Sequence, residues 1–398
     1  MEAARESTEE AGIERREVPF YQPDVGDEEI DAVTATLRSG WLTVGPKTHE
    51  FENAFAAAVD APHAVGVNSC TAALHLALDS LDMKPGDEVI TTSLTFAASG
   101  ATIIHAGGRP VLADCTADTL NIDPEDVARK ITPRTRAILP VHFAGHPAPM
   151  DELQEIASAH GLTVIEDAAH AIPASYRGRK VGSIGAMTAF SFYATKNLTT
   201  GEGGMLTLHD GEVADRVRMR RLHGMSRDAW KRYTSVGSWR YDVSSPGFKY
   251  NMTDAAASMG LVQLKRLPEM HARRIAIAAR YTELLGGSEH LRLQTIRPEV
   301  ETGWHLFTVR VRPETLRVGR DEVIELLKAE GIGTGVHFIP LHMHSYYRDT
   351  FGLRDADLPV ATDAGNTLIS LPFFTRMSDA DVDHVAATLL RVLAQNER

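Results

Sequence analysis

Cysteine is nearly absent: Cys70 and Cys115 are the two in 398 residues. Two thiols cannot supply a disulfide framework or a four-cysteine zinc site, and so few fit a reducing compartment. Basic charge is also in deficit. The 41 lysines and arginines face 53 aspartates and glutamates, a net charge of −12. That argues against general nucleic-acid binding, which needs a basic footprint. Long apolar runs are missing too, and no stretch approaches the roughly 18 residues of a membrane span. Met1 to Glu17 carries Glu2, Glu6, Glu9, Glu10, Glu14 and Glu17 without an apolar core. It reads as a disordered tail, not a signal peptide, so a cytoplasmic location is expected.

What is present is ordinary globular composition, 43% hydrophobic and 24% charged. Collagen, coiled coil and wholesale disorder are excluded. The length fits two or three domains, or a large domain with a smaller one attached, and can bury a core without staples.

Between about residues 60 and 210, short β-rich runs alternate with helix-like runs. The β-rich runs are 64–68, 88–92, 109–114, 136–141, 162–166 and 187–192; the helical ones include 71–81 and 149–160. This alternation predicts βαβ units and a mostly parallel sheet covered on both faces. Ligands of such sheets bind at the carboxyl ends of the strands. Earlier, residues 27–37 place Ile30, Val33 and Leu37 on one helical face, with Gly40 as a stop. Later, 211–222 and 253–285 read as helices. Beyond about 287 the pattern becomes strand (305–311), helix (320–330), strand (333–337) and helix (378–393). The expected fold class is α/β: a tail (1–17), a large domain (18–265), then a bridging helix and a small C-terminal α+β domain (266–398). No segment reads as a helix-turn-helix.

Four signals fall at predicted strand ends. Val164 to His170 is an apolar strand ending in Glu166 and Asp167; Asp167 either caps the next segment or faces a ligand. Phe190 to Gly204 sets Lys196 between an apolar strand and a glycine-rich turn. A lysine in a poorly solvated site loses proton affinity and becomes a nucleophilic amine, of the kind that forms Schiff bases with carbonyl compounds. Val65 to Leu74 runs strand, small polar turn, helix, a geometry that aims backbone N–H groups and a helix dipole at one spot. Ordinary capping by Ser69 or Thr71 would explain it equally well, and the glycine spacing of a dinucleotide fingerprint is absent. Thr91 to Phe96 places an aromatic ring just past a strand, for core packing or for stacking on a flat cofactor. A phosphate cradle, an aromatic plate, a carboxylate and a buried lysine are together what pyridoxal phosphate needs: the carboxylate keeps its pyridine nitrogen protonated, and the lysine holds the aldehyde and moves protons.

In that order, Asn68–Leu74, Phe96, Glu166–His170 and Ser191–Gly204 resemble the DegT/DnrJ/EryC1/StrS sugar aminotransferases, a family of fold type I pyridoxal phosphate enzymes. Ser39–Pro46, His142–His146, Gly247–Asp254 and His337–His342 support the match, which runs from about Pro19 to the C-terminus. The resemblance implies pyridoxal 5′-phosphate as cofactor. It makes Lys196 the lysine that binds it and Asp167 the partner of its pyridine nitrogen. His170 would stand beside the cofactor hydroxyl, Phe96 stack on the ring, and Cys70, Thr71 and Ser191 contact the phosphate. Many members have Gly where this chain has Cys70, which favours a backbone contact there. The 247–254 loop of such enzymes reaches the neighbouring subunit's phosphate. Many members carry Asn at position 249; here Lys249 stands there, and Asn251 is the expected contact. The implied assembly is a homodimer with shared active sites. Thr43, Lys249 and His337 are expected to bind substrate. Members with His in place of Lys196 dehydrate their sugar, so Lys196 favours transamination.

The implied reaction moves an amino group from L-glutamate to C4 of a nucleotide-linked, dTDP-type 4-keto-6-deoxyhexose, in antibiotic or surface-glycan sugar synthesis. A C3-aminotransferase acting on a 3-keto sugar is the alternative, and a sugar dehydratase a further one. Neither nucleic acid nor membrane is an expected partner. His337, His342 and His344 lack the helical arrangement of a metal site, so no metal is expected. The basic run Arg216, Arg218, Arg220, Arg221, Arg227, Lys231 and Arg232 reads mainly as a solvated face. Trp239–Tyr241 are candidates for the pocket wall, and Cys115 reads as core.

Overall fold

The computed structural model describes residues 16–225 and 242–398. The expected tail up to Arg15, Arg227, Lys231, Arg232 and Trp239–Tyr241 therefore lie outside the described residues. Arg16, which the sequence placed in the tail, is held by Asp381 at 2.6 Å.

The strands in chain order are β1 (His63–Val67), β2 (Glu88–Thr92), β3 (Arg109–Ala113), β4 (Thr135–Leu139), β5 (Thr163–Asp167), the short β6 (Ser175–Tyr176) and β7 (Arg179–Lys180), β8 (Met187–Ser191), β9 (Gly204–Leu208), β10 (Leu291–Leu293), β11 (Val300–Glu301), β12 (Thr308–Val311) and β13 (Leu368–Ser370). The helices are α1 (Asp27–Ser39), α2 (Pro46–Ala58), α3 (Cys70–Asp79), α4 (Ala97–His105), α5 (Pro124–Lys130), α6 (Met150–His160), α7 (Gly211–Arg220), α8 (Asp254–Leu285), α9 (Arg320–Ala329), α10 (Ser345–Phe351), α11 (Pro359–Thr367) and α12 (Asp379–Gln395).

Seven strands form the main sheet in the order β1-β9-β8-β5-β4-β2-β3. The pairings from β8 through to β3 are parallel, while β9 runs antiparallel to both neighbours. Since β9 opposes both β1 and β8, these two share a direction, so β1, β2, β5 and β8 all end on one edge. Successive strand residues go to opposite faces, and both faces are apolar. Val164, Ile138 and Phe190 pack with Phe51 and Phe55 of α2 and Met150 of α6. Ile165, Leu139 and Ala189 pack with Leu74 and Leu76 of α3 and Val217 of α7. This double cover is what a largely parallel sheet requires.

α8 leads to the small domain, where β10, β12 and β13 form a sheet around Tyr281, Val309, Leu327 and Leu389. Val18 belongs to this core and pairs with Ile332, so the start of the large domain as read from sequence is fastened to the small one.

Three expectations change. The stretch 333–337 is not a ladder strand: its hydrogen bonds go to Val18 and Ser370 instead. The strand expected from 305 begins at Thr308, because the N–H groups of His305 and Leu306 are taken by Ala144 O. The third concerns α1, whose buried residues are Glu29 and Thr36 while Ile30 and Leu37 are 56% and 54% exposed. Glu29 turns inward because Arg266 Nη1 and Gln263 Nε2 donate to it at 2.6 and 2.8 Å. Ile30 and Leu37 are left outward, and Val33 is half-buried.

Candidate active site

The strand ends build the site. After β1 the chain turns through Asn68 and Ser69 into α3, and Ser69 Oγ caps the helix by accepting the Ala72 N–H at 3.1 Å. Capping aligns the first turn, at Cys70 and Thr71, so that its free N–H groups and the helix dipole face the strand ends. β9 starts against this turn. A Cβ on Gly204 would lie 2.5 Å from the Ser69 carbonyl carbon and 2.7 Å from the Cys70 nitrogen, so the glycine there is a packing requirement.

β5 ends at Asp167, whose backbone is fixed by hydrogen bonds to Pro140 O at 2.9 Å and from the His142 N–H at 3.1 Å. Its carboxylate accepts from Ser99 Oγ at 2.8 Å and from the Ala169 N–H at 3.1 Å. It thus caps the next turn and also faces the cavity. Burial raises its proton affinity, while Ser99, the Ala169 N–H and Lys196 oppose that rise.

Lys196 follows β8 by five residues. Burial pushes its pKa down to about 8, a fall that Cys70 and Asp167 partly offset. About a tenth is therefore free amine at pH 7, far more than for an ordinary lysine, and that is the form that attacks carbonyls. The Cys70 thiol lies 4.0 Å from Asp167 Oδ1 and is pushed up by burial, so it stays protonated.

These groups line one cavity of about 340 Å³, along with Phe96, His170, Ser191, His305 and Phe338. Phe96 is 61% exposed, so its ring stands at the mouth and not in the core; its neighbour is Phe338, at 5.9 Å between centroids. His170 lies nearly parallel to Phe338 at 5.7 Å and has a buried Nδ1 with no partner. Burial, then the Lys196 charge, keeps it neutral. His337 joins from the small domain, held by Ser370 Oγ at 2.9 Å and stacked on Phe20. Its pKa is pushed down to about 4, by burial first and Lys196 second. Tyr21, next to Phe20, donates its O–H to Ala194 O on the lysine loop.

Within one chain the site gathers Cys70, Thr71, Phe96, Asp167, His170, Ser191, Lys196 and His337, but not Thr43, Lys249 or Asn251. Thr43 is exposed, its carbonyl accepting the Asp254 N–H at 3.1 Å. Lys249 Nζ donates to Asn251 Oδ1, and Asn251 pairs with Val67 behind the end of β1. The other histidines diverge: His342 is clamped between Ser93 and Thr362, and His344 is exposed. Of the basic run, Arg216, Arg218 and Arg220 pair with Asp82, Asp215 and Asp79, and Arg221 is buried against Glu52. A larger open hollow of about 820 Å³ lies by Arg109 and Phe351. Arg134 and Lys130 there are already paired with Glu88 and Asp126, and none of the cavity groups reaches it.

Sequence reasoning missed His305, Ser99 and Phe338. Ser99 lies only three residues past Phe96, but Phe96 is the extended, exposed N-cap of α4 and Ser99 is buried within the helix, so helical spacing did not point to it. Phe338 had the signal of its neighbour His337 within the 337–342 stretch and was given no role; His305 comes from a distant segment and carried none.

A half-buried amine, a buried carboxylate on a neighbouring strand end, a helix N-terminus and an unpaired buried imidazole nitrogen fit pyridoxal phosphate. Residues 23–390 match the DegT/DnrJ/EryC1/StrS aminotransferase family. The chain belongs to that family. Spore coat polysaccharide biosynthesis protein SpsC of Bacillus subtilis is 52% identical over 369 residues, 92% of this chain and 95% of SpsC. Among solved structures, Spr1654 from Streptococcus pneumoniae in its PLP form has a TM-score of 0.88 and 36% identity, covering 96% of this chain and 99% of that one; its PMP form matches equally. The sugar aminotransferase CalS13 from Micromonospora echinospora has a TM-score of 0.84 and 31% identity over 94% of this chain and 99% of its own. This chain is a pyridoxal-phosphate-dependent sugar aminotransferase of fold type I.

Proposed function

We propose that the enzyme transfers an amino group from L-glutamate to C4 of a nucleotide-linked 4-keto-6-deoxyhexose, with dTDP as the nucleotide. The observation that carries the transamination chemistry is Lys196: a half-buried amine with its pKa brought down to about 8, in one cavity with the Asp167 carboxylate.

Bound pyridoxal phosphate supplies an aldehyde and an electron-withdrawing ring. The chain's own residues do the rest. Lys196 would hold the cofactor's aldehyde carbon, and its amine would move the proton at substrate Cα and at C4′. Asp167, fixed by Ser99 and the Ala169 N–H, stabilises a proton on the pyridine nitrogen. The first turn of α3 at Cys70 and Thr71, with Ser191, takes the phosphate. His170 offers its unpaired Nδ1 to the ring hydroxyl, and Phe96 covers the ring face.

The sugar assignment rests on the Lys249–Asn251 pattern and the His337–His342 stretch, which resemble the C4 branch. The wall of Phe96 and Phe338 supports it, because an apolar wall suits a sugar face bearing a methyl in place of a hydroxymethyl. The kinship with SpsC favours a surface polysaccharide over an antibiotic as the destination.

A second copy would complete the site. Among the described residues lining the cavity, Lys196 is the one lysine or arginine, while glutamate and a sugar nucleotide bring several negative charges. Lys249, Asn251 and Thr43 of a partner subunit would meet them. The outward Ile30 and Leu37 of α1, with Leu42 also 54% exposed, support such a homodimer.

The test is incubation with pyridoxal phosphate, L-glutamate and dTDP-4-keto-6-deoxyglucose, with the product read by mass spectrometry and NMR. A 4-amino-4,6-dideoxy sugar is expected. Amination at C3, or of 3-keto isomers alone, would overturn the C4 assignment.

A further inference from the structure

We propose that His305 is a positioning residue for Lys196: its Nε2 lone pair accepts an N–H of the lysine, and Asn197 fixes the imidazole in the tautomer that makes this possible. The inference rests on the assignment of Lys196 and is independent of which sugar is used.

The argument starts at Asn197, the residue after the lysine. Its Nδ2 donates to Ile172 O at 2.9 Å and to Gly303 O at 2.5 Å. Both amide hydrogens are thus committed to backbone carbonyls, which fixes the flip of the amide. Oδ1 is then the atom facing His305 Nδ1, at 3.2 Å. A carbonyl oxygen only accepts, so Nδ1 must carry the hydrogen. The ring is fully buried and faces Lys196, His170, Arg274 and His337, all of which disfavour a second proton, as burial does first. A neutral ring protonated at Nδ1 has a bare Nε2. That atom lies 3.4 Å from Lys196 Nζ.

Two consequences follow for the lysine. Of the groups facing it, Cys70 is a protonated thiol and Asp167 is tied to Ser99. His305 thus offers a neutral acceptor at a fixed place, where burial keeps water from substituting. Anchoring one N–H there limits the amine's rotation and keeps its nitrogen at the cavity, where the lysine must pick up and deliver a proton. The acceptor also supports the ammonium form, since a hydrogen bond to a charged donor is stronger than one to a neutral donor.

Asn and Gln substitutions separate the two ring nitrogens. In His305→Asn the side-chain amide can still donate to Asn197 but the acceptor is lost; in His305→Gln an oxygen can stand near the place of Nε2. The readout is the apoenzyme, without turnover. Lys196 is labelled with limiting acetic anhydride across pH and quantified by mass spectrometry, with circular dichroism as the folding control. The Asn variant should show an apparent Lys196 pKa about one unit lower, which is roughly tenfold faster labelling at a pH below both values. The Gln variant should label within about threefold of wild type. Wild-type behaviour of the Asn variant, or a Gln variant as fast as the Asn one, would overturn the proposal. Neutron diffraction from the wild-type apoenzyme tests it without any variant. Deuterium on Nδ1 is expected, and deuterium on Nε2 would refute it.

Discussion

Gly204→Ala tests whether the turn before α3 is the cofactor's phosphate site. The added Cβ would stand 2.5 Å from the Ser69 carbonyl carbon, where ordinary contact begins near 3.4 Å. The obstacle is backbone, so no rotamer change relieves it. Either β9 leaves its pairing with β1 and β8, or the Ser69–Cys70 turn retreats by about 0.9 Å. Overpacking of this kind costs about 1–3 kcal/mol of stability. The cofactor should suffer more selectively. A backbone N–H bonded to a charged group contributes about 1.5–3 kcal/mol, and a retreat of this size forfeits at least one such bond. Pyridoxal phosphate affinity should fall about ten- to hundredfold, read by titrating apoenzyme and following cofactor absorbance. Gly287→Ala is the control, because a Cβ there meets nothing within 4 Å. Wild-type cofactor affinity in a folded Gly204→Ala enzyme would refute the phosphate assignment.

Other predictions address the lysine, the core and the mouth of the cavity. Lys196→Ala should abolish amino transfer while leaving the fold intact; turnover at the wild-type rate would exclude Lys196 from the chemistry. Glu52→Gln should destabilise the chain by about 3–5 kcal/mol, since it strands the Arg221 guanidinium in the core. Burial alone would raise the Glu52 pKa, but Arg221, His49 and the Gly66 N–H overcome it and bring it from 4.5 down to about 2. A depressed carboxylate contributes stability that is fully present above 4.5 and is lost as pH falls toward 2. Wild-type stability should therefore decline more steeply than that of the Gln variant in that window, as read by urea unfolding at each pH; parallel curves would disprove the assignment. Phe96→Ala should leave apoenzyme stability within about 0.5 kcal/mol, because the ring is exposed. It should weaken cofactor binding by up to about tenfold, through a lost stacking energy of about 0.5–1.5 kcal/mol; an unchanged cofactor Kd would remove Phe96 from the site.

The parallel core of the sheet was legible because its strands are apolar on both faces and most are separated by a helix-length run. β2 was read at its observed bounds and the others within one or two residues. β9 was not read as a strand. Its apolar residues follow the glycine turn too closely for a βαβ crossover, and its antiparallel pairing with β8 breaks the rule that predicted the rest. α1 was found as a helix, but its apolar stripe proved a poor guide to the buried side. Periodicity says that one face is apolar, and says nothing of what lies opposite. Here Arg266 and Gln263 of α8 lie opposite, so Glu29 is the side chain they draw inward.

The site divides along the same line. Cys70, Phe96, Asp167, Ser191 and Lys196 were visible because each sits within a few residues of a strand end, where local sequence determines position. His305 was read as the first residue of a strand and given no role. It reaches Lys196 because Ala144 O takes its backbone N–H, holding residues 305 and 306 off the sheet, and because Asn197 receives its Nδ1 hydrogen. Neither contact is encoded within 40 residues of His305 in the chain. A site assembled at the edge of a parallel sheet therefore shows its strand-borne half in the sequence, whereas from the second part of the chain resemblance supplied His337 alone, and His305 and Phe338 join it only once the chain has folded.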